Sequence, residues 1–236
     1  MKIAPCVVPL LLGLVPAAAW AQLAPTLDPR GVVQEVRLND EVFLTDMAIS
    51  VEKPGWSGRL ADQRVVDPAT VHVRRDGPTT LYAMPLKGDG FAGRLIQRVT
   101  RRDGDIVLDY EVFPDDDVEI EAVVLQCALP AGRHAGKTTF RVDGGAPSLL
   151  PADPVDGGAA PLWRGEPKWL RLDSADLSLR FTPRDAGLQL LDLRERNDSS
   201  FAIRATAGGG EHLARKPIHL GLTLQALDPG ASGRSR

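Results

Sequence analysis

Cysteine is almost missing from this chain: its 236 residues hold only Cys6 and Cys127. Aromatic residues make up 5% of it, and neither sign of charge prevails, with 28 basic against 31 acidic side chains and a net charge of -3. The balanced charge gives no basic surface for nucleic acid, so no nucleic-acid partner is expected. Scarce aromatics and strand-like runs of uneven length, many ending in charges, argue against a membrane barrel, which needs repeated apolar spans between aromatic girdles. The sequence also lacks a Gly-x-Ser-x-Gly elbow, a phosphate-cradling loop, a dinucleotide fingerprint and any Cys/His run with zinc spacing. No cofactor is expected. What is present is 43% hydrophobic and 25% charged, which suits a folded chain with a sizeable core.

Residues 1–21 have the form of a secretory signal. Lys2 supplies the positive start, Val7–Val15 is a short apolar run broken by Pro9, and Ala19-Trp20-Ala21 fits the small-x-small cleavage pattern. The run is too short for a comfortable membrane helix, and none follows it. The expectation is a secreted or periplasmic protein cut between Ala21 and Gln22, with no membrane span after cleavage. Cys6 leaves with the signal, so Cys127 remains alone and no intrachain disulfide forms. Cys127 lies in the apolar stretch Val123–Leu129, where a buried, inert thiol is expected rather than a nucleophile.

Period-two alternation recurs through the rest of the chain. Phe43, Thr45, Met47, Ile49 and Val51 share one face of a strand, and Ile106, Leu108, Tyr110 and Val112 share another with Asp109 and Glu111 opposed. Leu177, Leu179 and Phe181 alternate with Ser178 and Arg180. Ile218, Leu220, Leu222 and Leu224 alternate with His219, Gly221, Thr223 and Gln225. Shorter strands are expected near 31–38, 70–75, 79–86, 93–100, 117–129, 137–142, 168–172, 187–193 and 200–206, and no segment has the pattern of a long amphipathic helix. Asp-Gly pairs at 76–77, 89–90, 103–104 and 143–144 fit tight turns. Pro147–Pro161 is the one long irregular stretch and is expected to be a surface loop. The fold class that follows is all-β, a large antiparallel β-sandwich forming a single domain over residues 22–227, with a flexible tail at 228–236.

From Glu121 to Gly136 a strand ends in Leu129-Pro130 and runs into Ala131-Gly132, followed by Thr138-Thr139-Phe140-Arg141-Val142-Asp143-Gly144. Together with Lys168–Leu172, Asp176–Phe181 and Leu190–Arg204, this resembles the supersandwich β-domain of secreted bacterial proteins. That domain is similar in shape to galactose mutarotase-like domains and occurs in glycoside hydrolases and polysaccharide lyases. The resemblance covers residues 105–226 best. It implies a carbohydrate-associated protein whose partner is a glycan or a carbohydrate-active enzyme.

Sugar chemistry asks for paired carboxylates, or a histidine with a carboxylate, across a cleft. His72 and His219 lie on polar rows of strands, and His134 lies beside Arg133; no spacing pairs any of them, or His212, with an acid such as Glu119, Glu121 or Glu195. Asp115-Asp116-Asp117 offers oxygens but lacks the ligand spacing of a calcium loop, so no metal site is expected. Sugar binding also wants an exposed aromatic face beside hydrogen-bonding groups. Trp56 sits among turn formers, and Trp163 and Trp169 bracket residues 164–168. The expected carbohydrate site combines His219 and Gln225 of the terminal strand with Arg194 and Arg196, and places Trp56 or Trp163 at its rim. The leading expectation is an exported noncatalytic module that binds a glycan or supports a glycan-active partner. The alternatives are a sugar-active enzyme of mutarotase, epimerase or glycan-cleaving type, and an exported structural protein without a sugar ligand.

Overall fold

Between Asp105 and Pro114 the side chains of Ile106, Leu108, Tyr110 and Val112 are buried, while Asp105, Asp109 and Glu111 stand half-exposed opposite them. Successive residues of a strand point to opposite faces, so this segment needs one dry side and one wet side. Most of the chain follows the same rule. The computed structural model describes residues 23–38, 40–155, 161–175, 177–196 and 199–227. The expected signal over 1–21 and tail over 228–236 lie outside the described residues, as does the side chain of Arg196.

Over the described residues the chain forms nineteen strands. The first eight are β1 (Leu23–Leu27), β2 (Val33–Leu38), β3 (Glu41–Glu52), β4 (Arg59–Asp62), β5 (His72–Asp76), β6 (Thr79–Gly88), β7 (Phe91–Arg102) and β8 (Asp105–Pro114). Next come β9 (Val118–Ile120), β10 (Ala122–Pro130), the short helix α1 (Ala131–His134), β11 (Thr139–Val142), β12 (Ser148–Leu149) and β13 (Pro161–Gly165). The last six are β14 (Leu170–Asp173), β15 (Ser178–Arg184), β16 (Gly187–Asp192), β17 (Ser200–Ala207), β18 (Gly210–His212) and β19 (Ile218–Leu227).

Two large antiparallel sheets result. The front sheet runs β12-β11-β14-β15-β19-β8-β7-β6-β5, and the back sheet runs β1-β2-β3-β10-β17-β16-β13 with β4 also on β3. Strands β9 and β18 form a separate ribbon. One core lies between the sheets: Leu95, Leu108, Tyr110, Leu172 and Phe181 from the front, and Met47, Ile49, Val123, Leu125 and Ile203 from the back. Gln97 on β7, fully buried, ties the sheets together by hydrogen bonds. Its amide donates to the Gly31 carbonyl at 2.8 Å, and its oxygen accepts from Gln63 at 2.8 Å.

One expected row is broken. Asp46 has a φ of 52°, and the pairing of β10 with β3 shifts between Gln126 and Ala128. The extra residue reverses the alternation upstream of Met47: Leu44 is fully buried and Thr45 is half-exposed, so Thr45 does not share the face of Met47, Ile49 and Val51. Phe43 stays buried because α1 covers it, with the His134 ring edge-on at 4.8 Å. The proline-rich stretch after Val142 contains the two-residue strand β12 and, from Pro151 to Val155, a loop lying against the end of β16.

Candidate functional site

The outer face of the front sheet gathers side chains that are far apart in the chain. Register places His72, Ala83, Ile96, Glu111 and His219 side by side across β5, β6, β7, β8 and β19. The row one step along holds Leu81, Arg98, Asp109, Gly221 and Arg184. Arg98 donates to Glu111 Oε1 at 3.0 Å, and His219 Nδ1 lies 3.9 Å from the same oxygen. Arg184 reaches over β19 to pair with Asp109, and Gly221 makes this reach possible. A Cβ at 221 would stand 3.1 Å from the Arg184 Cβ, Nε and Nη2 atoms.

At the other end of these strands a third row runs Asp105, Gln225, Arg180, Arg171 and Arg141 across β8, β19, β15, β14 and β11. Gln225 donates to Asp105 at 3.3 Å. Burial raises the Asp105 carboxyl above its ordinary value, and the bond from Gln225 offsets this only in part. Arg171 is held by Asp173 at 2.5 Å and by the Ser178 hydroxyl at 3.1 Å. Arg180 lies over the half-buried Trp169 ring, 5.2 Å from its centroid. Hydroxyl, amide, carboxylate, imidazole and guanidinium groups thus line one face, the donor and acceptor set that sugar hydroxyls require.

The expected site residues divide between places. His219 and Gln225 stand on the front face as their alternation implied. Trp56 is 45% exposed in the turn Pro54–Trp56, with a left-handed φ of 55°. Glu121 holds that turn by accepting from the Gly55 amide at 2.8 Å. The structure does not bring Arg194 to His219: it lies in a 3-10 turn, Arg194–Arg196, at the end of back-sheet strand β16, where Asp192 holds it at 2.7 Å. A turn has no strand row, so Arg194 and Arg196 do not form one. Trp163 sits on β13 at the edge of the back sheet, half-buried against the core with its ring over Gly165. The front-face residues that sequence reasoning missed are Glu111, Arg98, Arg141 and Arg171. Their one signal was alternation against buried neighbours, which says nothing of which strand lies alongside.

The remaining candidates are structural. His134 is fully buried; Nε2–H donates to the Phe43 carbonyl and Nδ1 accepts from Thr138, both at 3.0 Å. Burial lowers it to about 4, so its ring is neutral at pH 7. Burial pushes the Cys127 thiol up to about 12, as expected of an inert core cysteine. Asp117 accepts from the Ala214 amide at 2.7 Å, a loop tether, and no group of three or more metal-ligating side chains occurs among the described residues.

No family model matches the sequence, and no curated protein matches it. Solved structures do. A galactose mutarotase-like protein from Lactobacillus casei superposes with a TM-score of 0.65 at 14% identity, covering 87% of this chain and 97% of that one. A galactose mutarotase related enzyme from Lactobacillus acidophilus gives 0.60 at 10%, covering 91% and 98%. A 4-alpha-glucanotransferase from Thermococcus litoralis gives 0.52 at 9%, covering 87% of this chain but 36% of that one. At such identities the likeness speaks for fold alone. This chain has the galactose mutarotase-like supersandwich fold.

Proposed function

We propose that this protein is an exported carbohydrate-binding module that holds a glycan on the outer face of its front sheet. The observation that carries the proposal is the register itself. It sets His219, Glu111, Arg98, Asp109, Arg184 and Gln225 on one face of four adjacent strands. Side chains fixed by a rigid sheet lose little freedom on binding, which favours recognition of a flexible, hydroxylated ligand. Calorimetry and glycan arrays test this. Binding is expected to weaken in His219→Ala and Gln225→Ala and to persist in Trp163→Ala and Arg194→Ala. Binding untouched by the first two variants would place the site elsewhere.

The Glu111–His219 contact supports a second reading, an enzyme that interconverts sugar anomers. That reaction needs an acid to protonate the ring oxygen and a base to take the anomeric hydroxyl proton; the ring opens, turns and closes again. A histidine and a carboxylate 3.9 Å apart on one face are the right types of group for both transfers. Polarimetry of freshly dissolved α-galactose decides between the readings. Mutarotation accelerated by the protein and lost in Glu111→Gln and His219→Ala would favour the enzyme, and no acceleration would favour the module.

A further inference from the structure

We infer that the ligand of the front face is an anionic glycan, one whose sugars carry carboxylate groups, and that Arg141 and Arg180 with Trp169 form the subsite that selects it. This inference rests on the glycan-binding reading above and names the class of glycan. Its basis is an arginine row. Arg141 stands opposite Arg171 on the next strand, and Arg171 stands opposite Arg180 on the one after. Like charges directly opposite one another destabilise a sheet, so three in line need compensation.

The carboxylates of this face are already engaged. Asp173 holds Arg171, Asp109 holds Arg184, Glu111 holds Arg98 and Asp105 accepts from Gln225. Asp143, at the β11 end, accepts from the backbone amides of Lys168 and Trp169 at 3.2 and 3.0 Å. The Arg141 side chain makes no hydrogen bond or ion pair among the described residues, and Arg180 has the Asp105 carboxylate near it with no hydrogen bond between them. The Nε atom of each is buried and makes no hydrogen bond among the described residues. A planar carboxylate is the acceptor whose two oxygens match the fork of a guanidinium. Arg180 is also held in place by stacking on Trp169, so little freedom remains to be lost on binding. Trp169 supplies an aromatic surface beside the charges.

Strand spacing puts the Arg141 and Arg180 backbones about 10 Å apart, with Arg171 committed to Asp173 between them. Two separated cations suit successive acidic sugars of a chain better than one small anion. Because the whole chain has a net charge of -3, attraction to polyanions is local to this row rather than a property of the entire surface.

Isothermal titration with the full exported protein tests the inference against oligogalacturonate, dextran sulfate, neutral dextran and polyglutamate. Oligogalacturonate is expected to bind and to weaken as salt is added. Its affinity should fall about tenfold or more in Arg180→Gln and in Arg141→Gln, the loss expected for one charge-assisted hydrogen bond. Unchanged thermal unfolding of both variants guards against misfolding. Tighter binding of dextran sulfate than of oligogalacturonate would overturn the carboxylate assignment. Equal binding of polyglutamate would reduce the row to a general anion surface and overturn it too. Binding of neutral dextran alone would overturn the anionic inference and leave the glycan-binding reading standing, whereas binding of no glycan would remove both.

Discussion

His134 shows at the scale of a single residue how burial separates a structural group from a reactive one. In sequence it stands beside Arg133 before a turn, a setting as suitable for function as for packing. In the fold it is sealed under Phe43, with a carbonyl on one ring nitrogen and a hydroxyl on the other. A carbonyl only accepts, so Nε2 must carry the proton and Nδ1 is bare in the neutral ring; a second proton would put a charge into a dry pocket beside Arg133. The folded state therefore binds that proton less tightly than the unfolded chain, with the group lowered from 6.5 to about 4. Its contribution to stability is whole above about pH 6.5 and drains as pH falls toward 4, by at most about 3 kcal/mol. Urea unfolding of the wild type against His134→Gln, followed from pH 7 to 4, should show a steeper loss in the wild type. Parallel curves would mean that His134 is not what titrates.

At the scale of the element, the end of β16 is held by Arg194. Its side chain is 8% exposed and its partner Asp192 is 3% exposed. The guanidinium also donates to the carbonyls of Pro151, Ala152 and Asp153 and lies 4.4 Å from the Phe201 ring centroid. Burial alone would raise the Asp192 carboxyl, but bonds from Arg194 and the Val155 amide outweigh it and hold the group below its ordinary value. Arg194→Met leaves a buried carboxylate and three carbonyls unpaired, and about 3 kcal/mol of stability should be lost in urea denaturation. Glycan affinity of the folded fraction should stay the same, because this element belongs to the back sheet. A tenfold loss of affinity without loss of stability would instead return Arg194 to the binding site. The neighbouring Pro151–Val155 loop, irregular in its sequence, takes its place from these bonds rather than from any pattern of its own.

On the scale of the whole molecule, a sandwich of two open sheets has edges, and β5 is one of them. All five of its residues are exposed, Val73 by 51%, and Arg74 and Arg75 sit where a strand of another chain would pair. Edge charges of this kind oppose sheet-to-sheet association. The double variant Arg74→Val/Arg75→Val should form larger species than the parent in light scattering after size exclusion; identical masses would show that the edge is protected by other means. The sequence alone established which side chains share a face, because a strand alternates its residues whatever lies beside it. The rows of β8, β15 and β19 were legible on that ground, and so was the helix-poor, two-sheet class. Periodicity fails where the segment is too short to show it, as in β1, β4, β12, β13 and β18, or where an extra residue shifts the phase, as at Asp46 in β3. His219 and Gln225 could be placed on one surface because one strand carries both. Only the tertiary structure decided that Glu111 lies beside His219, that three arginines stand in line, and that Arg194 belongs to the other sheet. Strand neighbours here are chosen by long-range pairing, with Gln225 meeting Asp105 across 120 residues, and local patterning carries no record of such a choice.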